Sequence, residues 1–526
     1  MTADYLLTDA RVFDGTGNPF FYADVAIAGE RIVAVTAPGC FPRESARTVL
    51  SLPGKILCPG FIDIQSHSLH PYLKDGRGLS KVTQGVTTEI LGELWTPAPF
   101  GGRRTERPSD APTWRHFSDW LRHYETRGVS VNLGSFVGGG SVREWACGWD
   151  AETPTDHQLE QMRQVTAEAM EEGAFGIAPA LIYPPDSYST DHQLTECARV
   201  VGRFGGLYIV HLRSEGDGLL ESIEATAELS QLSGCPVELY HLKASGERNW
   251  DKMPRAIERI TELREQGVDI TADMYPYIAS GTGLSVLIPN WAHEGGKLYE
   301  NLADRETRRR IHTEMLAPQA ATGDFASSDR GGHVMPLDFR KDQNKRFVGL
   351  RLTQIAEQLG CDWAAAAIDL LLSEGQRIGT VFFSMCEENL KLQLQQPWVK
   401  ISTDAGGLDP ATQANPVHPR AYGTYPRVLG KYVRDERILT WEEAIRKMTS
   451  AVAERLRLRD RGQVRERFFA DLVVLDPTTV ADRATFTDPH QLSVGIEWVF
   501  VNGIPVVERG EHTGALPGKA LFANHS

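Results

Sequence analysis

The chain has 526 residues and a formal net charge of -14 at pH 7. That length exceeds one minimal core and suits a large barrel with an added domain, or two to three ordinary domains. The acidic balance argues against nucleic acid as a partner, and no apolar run reaches the length of a membrane span. The opening MTADYLLTDARVFDG has no basic region leading into an apolar core, so no signal peptide is expected. Seven scattered cysteines without a CxxC pair point to reduced thiols in a cytoplasmic protein.

Residues 4–55 alternate strand-like pieces with turn signals. YLLTDARVFDG, ADVAIAGERIVAV and RTVLSLPGK read as short antiparallel strands with Asp-Gly and Gly-Glu turns. The same character returns near the end in ADLVVLDP and IEWVFVNGIPVV. One small β domain assembled from residues 1–55 and 466–526 is expected.

The stretch between them, residues 56–465, alternates strands with helices, the pattern of a parallel sheet with crossover helices. The predicted strands are FIDIQSH, GVTTEILGE, VNLGSFVGG, FGIAPALIY, YIVHLR, VELYHLK, VDITADMY and WVKISTDA. Helical spacing appears in HQLEQMRQVTAEAMEEG, GLLESIEATAELSQLSG and MPRAIERITELREQG, each closing at or near a glycine. Eight such units predict an α/β fold, a (β/α)8 TIM barrel. An insertion at about 285–375 separates the seventh strand from the eighth. Its length suits either a lid or a surface elaboration.

Candidate ligands sit where strands end. The first strand, within ILCPGFIDIQSHSLH, is followed by a cluster of Asp63, Gln65, His67 and His70. It reads either as a site or as a core strand with a polar turn. His211 ends the fifth strand, His241 the sixth and Asp404 the eighth. Alone, each suits a hydrogen-bonded core residue. Together, two imidazoles on adjacent strands and a carboxylate two strands away suit an open zinc site.

With these pieces in place, the chain resembles the amidohydrolase superfamily of metal-dependent hydrolases, and within it the N-acyl-D-amino-acid deacylase (D-aminoacylase) family. The resemblance rests on PGFIDIQSH, QGVTTEILGE, GAFGIAPALIYPP, HLRSEGD, HLKASGERNW, DITADMYPYIASGTGL, FFSMCEENL, STDAGG and HPRAYGTYPRVLGKYVR, in one fixed order. It implies a tightly held zinc on His211 and His241, with Asp404 as general base and acid. It also implies a substrate carboxylate held by Tyr183, Lys243, Tyr275 and Arg420. The expected partner is therefore a small N-acyl amino-acid-like substrate, and a homo-oligomer stays open.

Three positions depart from the family pattern. The usual His-x-His of the first strand reads Gln65-Ser66-His67, and alternation still points Gln65 the way the lost imidazole would point. The usual Gly-Asn-Cys of the second strand reads Gly92-Glu93-Leu94, and leucine cannot ligate. Glu93 is expected as the replacement ligand if the strand end is displaced by one residue. The third is VGGGSVRE, where glycines stand in place of a histidine; His70, expected on a loop, is the nearest compensation. His67 should then support at most a weak second metal site. Two other readings stay open. One is a hydrolase of cyclic amides of the hydantoinase or dihydroorotase type, which usually needs a carboxylated lysine that FGIAPALIY lacks. The other is a non-catalytic scaffold that has lost its metal.

Overall fold

The computed structural model describes residues 2–105, 112–317 and 331–525. Eight parallel strands make a closed ring. They are β1 (Phe61–Asp63), β2 (Val86–Leu91), β3 (Asn132–Ser135, continued in Val137–Gly138) and β4 (Gly176–Ala178). β5 (Leu207–Val210), β6 (Val237–Leu239), β7 (Ile270–Met274) and β8 (Val399–Ile401) follow. Neighbours pair in chain order from β1 to β8. The ring closes just past the strand ends, where Ser66 bridges Ala405 in parallel. There Asp404 N donates to Gln65 O at 3.0 Å and His67 N donates to Ala405 O at 3.1 Å. The expected (β/α)8 barrel is the fold.

Both faces of the strands are covered, so they carry runs of buried residues rather than an alternation. The crossover helices start where local chemistry says they should. Helix Asp156–Glu171 opens with a reciprocal pair in which Thr155 and Gln158 each satisfy the other's backbone N–H. Helix Asp191–Arg203 opens in the same way on Thr190 and Gln193.

The chain's two ends share a seven-stranded sheet. Its order runs through 511–512, 504–508, 496–501, 472–475, 56–59, 11–12 and 21–22. Strand Ile56–Pro59, which leads into β1, pairs antiparallel with Leu472–Leu475. Leu7, Val25, Leu57, Leu472, Val474 and Phe500 form one apolar cluster there. One expected pairing differs. Ala3–Thr8 runs antiparallel to Asp24–Ala28 but parallel to Ala46–Ser51. The Asp24–Thr36 hairpin occupies one edge of the first strand, so the returning chain must take the other edge, in the first strand's own direction.

The segment between β7 and β8 has an apolar core of its own, including Leu287, Leu302, Ile311, Phe339, Ile355 and Ile368. Helices Leu298–Ala303, Arg305–Leu316, Leu352–Leu359 and Trp363–Glu374 pack with a three-stranded antiparallel sheet of 280–283, 379–382 and 334–336. That sheet stands at the barrel mouth. The Gly/Ser/Asp-rich stretch 322–332 lies mostly outside the described residues.

A buried ionic clasp joins β1 to β8. Lys81 Nζ donates to Asp63 Oδ2 at 2.6 Å and to Thr403 Oγ1 at 2.6 Å, and Asp63 Oδ1 accepts from Thr403 N at 2.9 Å. Glu89, 3.5 Å from Lys81, also accepts from the hydroxyls of Ser66, Ser68 and Tyr72. The side chains of Lys81, Asp63 and Glu89 are 0 % exposed. Breaking such a pair strands a buried charge, so Lys81→Met should cost about 3–5 kcal/mol in a denaturant titration. A loss below about 1 kcal/mol would show that the clasp contributes little to stability.

Candidate metal centre and pocket

β2 ends at Leu91, and the next three residues set the site. Gly92 has φ +120°, and a Cβ there would meet Phe136 O at 2.3 Å. Leu94 takes φ +60°, a left-handed conformation uncommon for leucine. It is held by Leu94 N donating to Ala178 O at 3.0 Å and Ser141 N donating to Leu94 O at 3.2 Å. A Cβ on Gly138 would lie 2.5 Å from Leu94 O, and one on Gly140 2.8 Å away. The glycines therefore seat the turn, and the turn presents Glu93 to the barrel axis.

The Glu93 carboxylate meets imidazoles from β5, β6 and β1. Oε1 is 3.1 Å from His211 Nδ1 and 3.9 Å from His241 Nε2. Oε2 is 3.4 Å from His67 Nε2 and accepts from Gln65 Nε2 at 2.6 Å. His211 and His241 are buried, with ring centroids 4.4 Å apart and planes at 85°. One ligand atom each from Glu93, His211 and His241 fall within 4.8 Å of one another, as do those of His67, Glu93 and Asp404. Two imidazole nitrogens and a carboxylate, converging in a buried pocket, fit a divalent cation that keeps an open position. Burial works against ionised Glu93, but His211, His67 and His241 hold its carboxyl well below the usual range.

Asp404 follows β8 at φ +48° and is buried. Its Oδ1 is 2.9 Å from His67 Nε2, and its Oδ2 is 2.6 Å from Arg420 Nη1. Burial raises its pKa, yet Arg420, His241 and His67 bring it down to about 2. The same contacts act on His67. Burial disfavours the imidazolium, but Asp404 and Glu93 raise its pKa to about 9.

The remaining expected residues line one cavity of about 1450 Å³ at this mouth, together with the metal-site residues. Tyr183 shares a hydrogen bond with Thr282 at 2.7 Å. Tyr275 is buried beneath the Arg420 guanidinium, 4.6 Å from ring centroid to Cζ, and its hydroxyl has no hydrogen-bond partner among the described residues. Arg420 Nη2 donates to Gly281 O at 3.0 Å. Lys243 Nζ donates to Glu215 Oε1 at 2.5 Å and lies 2.7 Å from His241 Nδ1. His70 is on helix Leu69–Lys74, not on a loop, and is exposed at the cavity rim.

Two residues here escaped the sequence reading. Glu215 is buried behind both site histidines, 3.0 Å from His241 Nδ1 and 3.5 Å from His211 Nε2. Its signal was the four-residue spacing from His211 in HLRSEGD. His418 accepts from Arg420 N at 3.1 Å through Nδ1 and bonds Ala279 O at 2.9 Å through Nε2. It braces Arg420 from within the same HPR segment, two residues before it.

Fold and site define an amidohydrolase, a hydrolase of carbon–nitrogen bonds other than peptide bonds. The model of the Amidohydrolase family matches residues 388–507. An N-acyl-D-glutamate deacylase of Alcaligenes xylosoxydans xylosoxydans is 31% identical, over 98% of this chain and 96% of its own. A D-aminoacylase of the same organism is 30% identical, over 98% and 97%. The crystal structure of an N-acyl-D-glutamate deacylase from Bordetella bronchiseptica, complexed with zinc and a phosphonate inhibitor, superimposes with a TM-score of 0.84. It is 28% identical, with 99% of this chain and 100% of that one covered. The chain belongs to the N-acyl-D-amino-acid deacylase (D-aminoacylase) family.

The contact of Gly138 with Leu94 gives a direct check on the Glu93 turn. Gly138→Ala should force the turn outward at an overpacking cost of about 1–3 kcal/mol. Thermal unfolding should register that loss, and a crystal structure should show Glu93 displaced from His211. An unshifted Glu93 would detach the glycines from its placement.

Proposed function

We propose that the protein is a zinc-dependent deacylase. Its substrate is an N-acyl-D-amino acid, or a similar N-acyl compound bearing a carboxylate, and it cleaves the linear amide. The observation that carries this is the convergence of Glu93, His211, His241 and Asp404 at one barrel mouth. His211, His241 and Glu93 would hold the zinc, with His67 contributing at most to a weak second site. A zinc ion so held lowers the pKa of a coordinated water towards ~7 and polarises a carbonyl oxygen.

The protein's own groups supply the rest. Asp404, ionised at neutral pH, takes a proton from the attacking water and returns it to the departing amine. Arg420 and Lys243 offer positive charge to the substrate carboxylate, Arg420 in a two-pronged geometry. Tyr275, which lines the pocket, would support the same role with its buried, unpartnered hydroxyl. Tyr183 lines the same pocket, its ring edge-on to His211 at 5.2 Å. The catalytic unit on this reading is residues 56–465, with the insertion at about 285–375 forming one side of the pocket. Residues 1–55 and 466–526 form the supporting β domain. All seven cysteines are unpaired, and no described helix is long and apolar enough to cross a membrane. Both observations agree with a cytoplasmic enzyme.

Cyclic amides are the less favoured substrates. β4, Gly176–Ala178, carries no lysine of the kind hydantoinase-type sites usually carboxylate.

The test is turnover of a panel of N-acyl-D-amino acids, N-acyl-L-amino acids and cyclic amides by zinc-loaded protein. Release of free amino acid from the D-series is expected. Turnover of cyclic amides alone would overturn the reading. Asp404→Asn should keep its zinc and lose about 10²–10⁴-fold in kcat. Activity within a few-fold of the parent would remove Asp404 from the proton-transfer role. Metal analysis should find Glu93→Gln depleted and His67→Ala still loaded with zinc, and full retention in Glu93→Gln would exclude it as a ligand.

A further inference from the structure

Each imidazole that binds a cation through one ring nitrogen carries its remaining proton on the other. That proton needs an acceptor, which fixes the tautomer and the ring's orientation. His211 turns Nδ1 to Glu93, at 3.1 Å, so its proton belongs on Nε2. His241 turns Nε2 to Glu93, at 3.9 Å, so its proton belongs on Nδ1. Opposite nitrogens of the two rings therefore face away from the centre, and both face the same side chain. Glu215 Oε2 lies 3.5 Å from His211 Nε2, and Glu215 Oε1 lies 3.0 Å from His241 Nδ1. His211 Nε2 is buried and makes no hydrogen bond to a described residue, and Glu215 Oε2 is the carboxylate oxygen that faces it.

We propose that Glu215 is a positioning residue shared by both zinc-binding imidazoles, with one carboxylate oxygen fixing the tautomer of each. The inference rests on the zinc reading above. Lys243 completes the arrangement. Its ammonium, 2.5 Å from Glu215 Oε1, balances the second buried carboxylate, so Glu215 adds no net charge behind the site. Lys243 also lies 2.7 Å from His241 Nδ1. That nitrogen can donate to Glu215 or accept from Lys243, but not both. With Nε2 committed to the cation, the Nδ1 proton goes to Glu215. Lys243 is then tied only through Glu215 and can extend a proton towards the pocket it lines.

The test is zinc affinity, measured by chelator competition on the full-length parent, Glu215→Gln, Glu215→Asp and the double variant Glu215→Gln/Lys243→Met. Outer partners of metal-binding histidines typically contribute 10–100-fold in affinity, so Glu215→Gln should weaken zinc by about that factor. Glutamine keeps one acceptor oxygen where two imidazoles need one each, so the double variant restores charge balance without restoring the second acceptor, and it should stay as weak. It also serves where the single variant fails to fold. ¹⁵N signals of the zinc-loaded parent should show His211 protonated on Nε2 and His241 on Nδ1, and Glu215→Asp should keep that pattern. Zinc held within threefold of the parent by a folded Glu215→Gln, or by the double variant, overturns the inference, as does the opposite tautomer on either ring. A parent that binds no zinc overturns the reading of the site itself.

Discussion

Glu93 is the anion on which the barrel mouth is built. Two neutral imidazoles and water give a divalent cation no negative charge, and Glu93 is the carboxylate whose oxygen groups with one nitrogen each of His211 and His241. Everything around it serves to hold the carboxylate there. Gln65 donates to one oxygen, His211 lies on the other, and the reversed turn at Leu94 keeps the side chain aimed inward. A buried carboxylate costs several kcal/mol unless it is paired and hydrogen-bonded. Here the pairing is complete enough that the group stays ionised.

The three departures from the family pattern form one structural unit on this view. With Leu94 in place of the usual ligand, the anion comes from the residue before it. Displacing a ligand by one position along a strand would turn it to the other face. The left-handed φ at Leu94 and the open φ at Gly92 cancel that displacement. The carbonyl this turn throws outward needs a floor without side chains, and Gly138 and Gly140 provide it. Gln65 donates its amide to Glu93 from the end of the first barrel strand. His67 lies against the same Glu93 oxygen, half-exposed and hydrogen-bonded to Asp404.

Much of this was legible in the sequence, for identifiable reasons. Parallel strands covered on both faces write long buried runs, and their polar ends stand out as His211, His241 and Asp404. Glu93 could be expected because the charge of the site demanded an anion. Pairing direction in the terminal sheet was harder to read, because it depends on which edge of Ala3–Thr8 the earlier hairpin has already taken. Glu215 and His418 were missed for another reason. Neither ends a strand, and each acts through a neighbour that does the recognisable chemistry. The buried clasp of Asp63, Lys81 and Thr403 was invisible in the same way, since its members lie 18 and 340 residues apart in sequence.

That clasp has a consequence for the site. Asp63 accepts from the backbone N–H of Thr403, the residue just before Asp404, and His67 and Asp404 bracket the backbone bonds that close the ring. Asp404 thus stands where the last strand is tied to the first. Its φ of +48° lies in the left-handed region, which costs energy even though aspartate tolerates it better than most residues. The cost is offset by Asp63 and Lys81 below it and by Arg420 above. Ring closure and placement of the Asp404 carboxylate are therefore one constraint, and a change that loosens the closure moves Asp404 before it unfolds the barrel.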